Sequence, residues 1–417
     1  MLIKFIEHFV IKDSLLKLFT LYSVIFLGSL GYFIVMPVYA ELILSPIQGL
    51  LPEHVDITTR RIIFSLVSAF APLLTLCIAP FIGHLSDQLG RKKVLLFCLA
   101  LTLISFLLPI TAIAISSMTL LFISNAINSI ASASQPIAQA TLTDISTGRM
   151  KAYLMGLSAS SMTAAMSFGP ALGSYLTKVS FDTTFWCSAL FTVINIILVY
   201  LTFSPEQKRI KAEKTPSLLS SFKTYSPLAV TMLILVFLCQ LAWSSYYQNI
   251  NYTIISIWHL SISSNLYQQL MLIIGLSMIL SLLVLYPAII RIITIIQCFK
   301  LCLIIATLSM LAISLTHEIW LYKIILIPLS SSIAMTYPCY MSILSNALTK
   351  RHQGSGIALA GGLMGISWTL SGSFSGVIAN INLHLANWLA VIILILALFL
   401  LFITIKKTVQ ESKCLYI

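Results

Sequence analysis

The segment FIGHLSDQLGRKKVLLF, residues 81–97, gathers Asp87, Arg91, Lys92 and Lys93 within seven positions of a chain in which only 9% of residues are charged. Apolar runs close in on both sides. One acid among three bases, flanked by Gly83 and Gly90, can do more than mark a water-facing loop. A carboxylate at this place can meet a helix N-terminus, whose partial positive charge favours an anion. Contacts of that kind, made in one conformation and not another, bias an equilibrium between states. Gly83 and Gly90 fit close approach and a tight turn. The competing reading is that Arg91, Lys92 and Lys93 fix topology and touch lipid headgroups. That reading suits Lys92 and Lys93, but an orientation signal needs no acid.

The elements that carry this cluster are membrane spans. The chain has 417 residues and is 59% hydrophobic, whereas a water-facing globule would carry charge on about a quarter of its residues. Apolar runs of about 20 residues, long enough to cross a bilayer, recur from end to end. Twelve spans are expected, numbered in chain order: Leu18–Leu42, Ile62–Leu85, Val94–Ile115, Leu120–Leu142, Ala152–Leu176, Phe185–Phe203, Leu228–Ile255, Leu266–Ile289, Ile292–Leu315, Ile319–Leu344, Gly356–Ile378 and Ala386–Ile405. The first residues alternate apolar and charged, which suits a short helix on the membrane surface. They show no small-residue cleavage site, so a removable signal is not expected.

Lys and Arg set the orientation. The odd-numbered loops hold only Arg60, Arg61 and Lys178, and Lys300 and Lys323 fall inside spans; all the rest lie in the even-numbered loops and the two termini. Both termini are therefore expected in the cytoplasm, with a bacterial inner membrane the expected location. The net charge of +12 is this orientation signal, and no nucleic-acid partner is implied. Lys300 and Lys323 lie within about three turns of a span end, where snorkelling is the default. The polar stretch 204–227 divides the chain into an N-terminal six-span bundle, 1–203, and a C-terminal one, 228–417. The halves echo each other: the Gly169/Gly173 spacing of span five recurs as Gly372/Gly376 in span eleven. Such repeats suit two bundles rocking around a midplane site, although paired small residues are also common wherever membrane helices touch. The cysteines show no metal-type spacing beyond the Cys298/Cys302 turn, which reads as packing. No metal or cofactor is expected.

Read in full, the cluster is Gly83-x-Leu85-x-Asp87-x-x-Gly90-Arg91-Lys92-x-Val94. It resembles the loop signature between spans two and three of the major facilitator superfamily of secondary transporters. The resemblance implies an all-α membrane fold of 12 helices in two six-helix bundles, no enzymatic activity, and function as a monomer. It implies that Asp87 meets the start of span eleven, near residues 354–356, and that Arg91 pairs with an acid after span four, here Asp144. Asp144 and Arg149 resemble the D-x-x-x-x-R segment of the family's exporters. Gly169-Pro170-x-x-Gly173 resembles the G-P-x-x-G-G segment of its antiporters, with Ser174 where Gly is usual. Gly31 and Pro37 resemble the exporters' first-span pattern. Physically, Pro170 removes a helical hydrogen bond and the glycines permit a close crossing; plain tight packing explains them too.

Two departures matter. Asn125 stands where many proton-coupled members carry an Arg, and no carboxylate falls in mid-span. Intramembrane carboxylates are the usual proton carriers, so only Glu41, at the outer end of span one, is a candidate. Proton coupling stays an expectation of the resemblance alone. Polar stripes in spans four, seven and ten must face protein or water. With span one they nominate Tyr32, Asn125, Asn128, Gln135, Gln240, Trp243, Tyr247, Thr336 and Tyr340 as substrate contacts. An amide- and aromatic-rich lining suits a neutral or weakly charged amphipathic molecule. Export in exchange for protons and import of a neutral nutrient both fit these residues; a receptor on the same fold fits them less well.

Overall fold

The computed structural model describes residues 12–47, 49–145, 148–203, 225–261, 263–316, 318–348 and 353–414. The expected surface helix at residues 1–11 and the polar stretch 204–224 lie outside them. Among the described residues there are helices and connecting turns and no strand. In chain order the helices are α1 (Lys12–Leu44), α2 (Ile57–Leu89), α3 (Arg91–Ala114), α4 (Met118–Ala131), α5 (Ser134–Asp144), α6 (Gly148–Leu176), α7 (Phe181–Thr202), α8 (Pro227–Tyr252), α9 (Asn265–Leu280), α10 (Tyr286–Ile289), α11 (Ile295–Leu315), α12 (Ile319–Ala347), α13 (Gln353–Ile381) and α14 (Leu385–Cys414). Nine helical segments among the described residues are long and apolar enough to cross a membrane. The expected spans at 120–142, 152–176 and 356–378 are helical but are not among those nine. The first is divided between α4 and α5; the other two, in α6 and α13, are rich in Gly and Ser.

Local chemistry explains the starts and breaks. Ser117, Ser180 and Ser226 cap α4, α7 and α8 by accepting from Leu120 N, Thr183 N and Ala229 N, which satisfies one of the free amides of a first turn. Thr294 and Gln297 form a reciprocal capping box on α11,. Asp56 accepts from Thr59 Oγ1 at 2.6 Å ahead of α2, and this bond holds its carboxyl below the usual range. Span four breaks at Ser132–Ala133 because Pro136 has no amide for the Ser132 carbonyl. Thr75, on α2, covers the break, donating to Ser129 O at 3.0 Å and standing 3.0 Å from Ser132 Oγ. Span eight is likewise interrupted by a wider π turn, Ser281–Leu285, just before Pro287,.

Two compact units emerge. Of the described residues, the first takes those within 12–54, 74–203 and 263–268, so it includes residues 74–89 of α2. Here α1 packs on α5, α6 and α7, and α3 packs on α4 and α7. Leu21, Val24, Ile25, Leu95, Leu99 and Leu142 lie in its core. The second takes the described residues within 55–73, 225–261 and 269–414. In it α8 packs on α12, α13 and α14, and α11 packs on α12 and α14. Large apolar side chains such as Ile197, Leu201, Leu308 and Phe399 stay more than half exposed, as helix faces meeting lipid do.

Candidate functional site

The charged cluster is built at the turn between α2 and α3. Gly90 is the N-cap of α3 with φ 93°, in the region that favours glycine. Immediately after it, Arg91 is drawn inward, with 12% of its side chain exposed. Its Nη2 lies 2.7 Å from Asp87 Oδ1 one turn back, and its Nε lies 3.3 Å from Asp144 Oδ2 at the end of α5. Its Nη1 donates to Ser86 Oγ at 2.5 Å. Arg91 is thus the hub, tying the ends of α2 and α5 to the start of α3. The contact expected for Arg91 and Asp144 is present as geometry. Asp87 is 48% exposed and faces Arg91. The Arg149 side chain and the side chains at 351–355 lie outside the described residues.

Three details depart from the sequence reading. Close approach at Gly83 is not seen in this conformation: nothing lies within 4 Å of where its Cβ would stand. Lys92 is not a plain headgroup contact. Its Nζ donates to Tyr200 O at 2.9 Å and to Phe203 O, and lies 5.1 Å from the Tyr200 ring centroid. A cation there satisfies the open carbonyls at the C-terminal end of α7 and meets its negative dipole end. Lys300, inside α11, lies 4.4 Å from the Phe402 ring centroid, so a cation–π contact accompanies its position in the span.

In α6, Gly169 and Gly173 form a backbone-to-backbone crossing with α1. A Cβ on Gly169 would stand 2.4 Å from Phe33 Cβ, and one on Gly173 would stand 2.0 Å from Ile34 O. Pro170 lies between them inside the helix, and Ser174 is fully buried. Ser188 on α7 grips the other side of α1, donating to Gly31 O at 3.0 Å.

The proposed substrate contacts fall into separate groups. In the first unit Asn128 accepts from Ser105 on α3 at 3.2 Å. Asn125 is 4% exposed, while Tyr32 and Gln135 are partly exposed. In the second unit Gln240 donates to Tyr340 OH at 3.0 Å. Trp243 and Tyr247 have ring centroids 5.6 Å apart, and Tyr247 meets Trp368 at 5.8 Å. Thr336 donates within its own helix to Ile333 O. Asn125, Trp243, Tyr247, Thr336 and Tyr340 are each no more than 4% exposed, so reaching them requires another conformation or moved side chains. Sequence reading missed Trp368 and the Tyr246–Tyr322 hydroxyl pair, 2.8 Å apart. Tyr246 and Tyr322 were visible as aromatic residues in the polar-lined spans seven and ten, whereas Trp368 lies in span eleven, which carried no such signal.

The Major Facilitator Superfamily model matches residues 21–371. The chain belongs to that superfamily, a family of transporters rather than enzymes, and is an integral, multi-pass membrane protein. It is 24% identical over 213 residues to the tetracycline resistance protein, class D, of Salmonella ordonez, covering 50% of this chain and 51% of that protein. It is 27% identical over 227 residues to the quinolone resistance protein NorA of Staphylococcus aureus (strain MRSA252), covering 53% and 55%. The chain spans about half the length of the curated relatives it matches. Among solved structures, that of the human organic anion transporter MFSD10 (TETRAN) has a TM-score of 0.68 at 17% identity, covering 94% of this chain and 100% of that chain. That likeness is one of fold.

Proposed function

We propose that the chain is a secondary active transporter that exports a small, neutral or weakly charged amphipathic molecule by alternating access, in exchange for protons. The two sequence halves, 1–203 and 228–417, are its moving parts, and both termini face the cytoplasm. The observation that carries the reading is the Gly169–Pro170–Gly173 crossing on α1 in a chain whose relatives include tetracycline and quinolone resistance proteins. Asp87, Arg91, Asp144 and Arg149 act as the inner gate. Tyr32, Asn125, Asn128, Gln135, Gln240, Trp243, Tyr247, Thr336 and Tyr340 contact the substrate in conformations that uncover them.

A second reading, uncoupled uptake of a neutral metabolite, is favoured by one observation. Among the described residues Glu41 is the one buried carboxylate, at 5% exposure, and it stands in the last turn of α1 rather than mid-helix.

Untargeted mass spectrometry of cells and spent medium separates the two, comparing overexpression with a deletion strain. Export predicts a compound enriched in the medium and depleted in the cells. The opposite pattern replaces export by uptake and reduces the α6 crossing to packing.

A further inference from the structure

Arg60, Arg61 and Lys178 are the basic residues on the face that carries few, and each is engaged. Arg60 Nε donates to Val55 O at 3.1 Å, closing the turn that leads into α2. Arg61 reaches the last turn of α13, where its Nη1 donates to Ala379 O at 3.2 Å and to Asn380 Oδ1 at 3.3 Å. Asn380 answers by donating to Thr58 O at 3.1 Å. Beside this pair the two backbones touch: a Cβ on Gly376 would stand 2.2 Å from Arg61 O, and one on Gly372 would stand 3.0 Å from Ala69 Cα. A guanidinium at a helix C-terminus meets open carbonyls and the negative end of the dipole. Lys178, just past α6, does similar work at the start of α9. Its Nζ donates to Asn265 Oδ1 at 2.7 Å and to Gln268 Oε1 at 3.3 Å.

Both contacts join a cation before the 204–227 stretch to neutral oxygens after it. Both lie on the outer side in the orientation proposed above. We propose that they form a two-point outer lock: Arg61 on α13 and Lys178 on α9, made while those helix ends are together and released when they part. The inference rests on the alternating-access reading. Neutral acceptors suit a lock that must open repeatedly. Water can replace a carbonyl or amide partner at a modest net cost, whereas separating a buried ion pair strands two charges.

Ser65 supplies a reporter. It lies on α2 against Gly376, is 1% exposed, and bonds only within its own helix among the contacts described. A membrane-impermeant thiol reagent is applied to the outer face of vesicles carrying Ser65→Cys, with the parent chain as blank for its own cysteines. Arg61→Gln is expected to speed labelling about tenfold, equivalent to about 1.4 kcal/mol. Lys178→Ala should speed it less, and the double variant more than either. Arg61→Lys should restore the rate to within about threefold, marking the cation rather than its bulk as the grip. Lys178 is exposed, so its variant tests the lock even where an Arg61 variant folds poorly. Equal rates in all variants, with a Ser65→Cys rate that still responds to pH or to a transported compound, would overturn the lock and leave alternating access standing. A reporter labelled only after the protein is unfolded would overturn alternating access itself, and the lock with it.

Discussion

Gly169 and Gly173 of α6 press on Phe33 and Ile34 of α1, and Gly372 and Gly376 of α13 press on Ala69 and Arg61 of α2. The closeness is nearly equal, since the hypothetical Cβ atoms fall 2.0 Å from Ile34 O and 2.2 Å from Arg61 O. The partners are not equivalent. The first pair joins two helices of the same sequence half; the second joins a helix of one half to a helix of the other. Within the second half, α13 meets α8 through serines instead. Ser367 donates to Phe237 O at 3.0 Å, and Gln248 donates to Ser371 Oγ at 2.8 Å. Ser371 and the adjacent Gly372 stand about 100° apart around α13, so the helix turns different faces to α8 and α2. Under the proposed alternating access the first crossing stays intact, whereas the second, although Arg61, Ala69, Gly372 and Gly376 fall in one compact unit, is a contact that the motion of the two sequence halves would break.

The largest expected effect comes from adding one methyl group to each crossing. Gly173→Ala forces α6 off α1 and should cost about 3 kcal/mol, read as a lower thermal midpoint and loss of monodisperse protein after detergent extraction. Gly376→Ala meets an equally tight contact, yet should leave the midpoint within about 1 kcal/mol. It should instead raise outer-face labelling of Ser65→Cys, because the α2–α13 contact can simply open. Equal destabilisation by the two substitutions would erase the distinction between a permanent crossing and a breakable one.

The i, i+4 glycine spacing was legible in the sequence, but its partner was not. A helix period shows which residues share a face; it does not show which neighbour that face meets. The same limit applies to the polar stripes. Asn128 and Gln240 had to face protein or water, and the structure gives them Ser105 and Tyr340. The helices themselves were legible because apolar length acts locally along the chain. The break in span four had a visible cause in Pro136 that the hydrophobic run masked. Arg61 and Lys178 were visible as exceptions to the positive-inside pattern. Their acceptors, Ala379 and Asn265, were not, because one is a backbone carbonyl and the other an ordinary amide side chain at the first residue of α9.

The Asp87/Arg91/Asp144 cluster extends the comparison, since Arg91 is held by carboxylates where Arg61 and Lys178 are held by neutral oxygens. Arg91→Ala should reduce transport of the identified compound at least about tenfold, equivalent to about 1.4 kcal/mol in rate. Its effect on folding should be smaller, about 1 kcal/mol or less, because Asp87 is half exposed and partly exposed pairs contribute little. Asp87→Asn should likewise stop turnover with normal membrane levels. Wild-type flux from Asp87→Asn would reduce the cluster to an orientation signal.

The smallest effect tests whether the second bundle is closed by hydrogen bonds where the first is closed by glycines. Gln248 donates both to Ser371 Oγ and to Trp368 O, at 2.8 and 3.2 Å. Gln248→Leu should cost about 1 kcal/mol, the usual range for a hydrogen bond between membrane helices. Ser167 of α6 donates to Thr163 O of its own helix, so Ser167→Ala should change the thermal midpoint by less than about 0.5 kcal/mol. If the two shifts were reversed, hydrogen bonding would matter more at the α6–α1 seam than at α8–α13. The division of labour between glycine and polar contacts would then fail, because the seam with the open backbone crossing would be the one depending on side-chain donors.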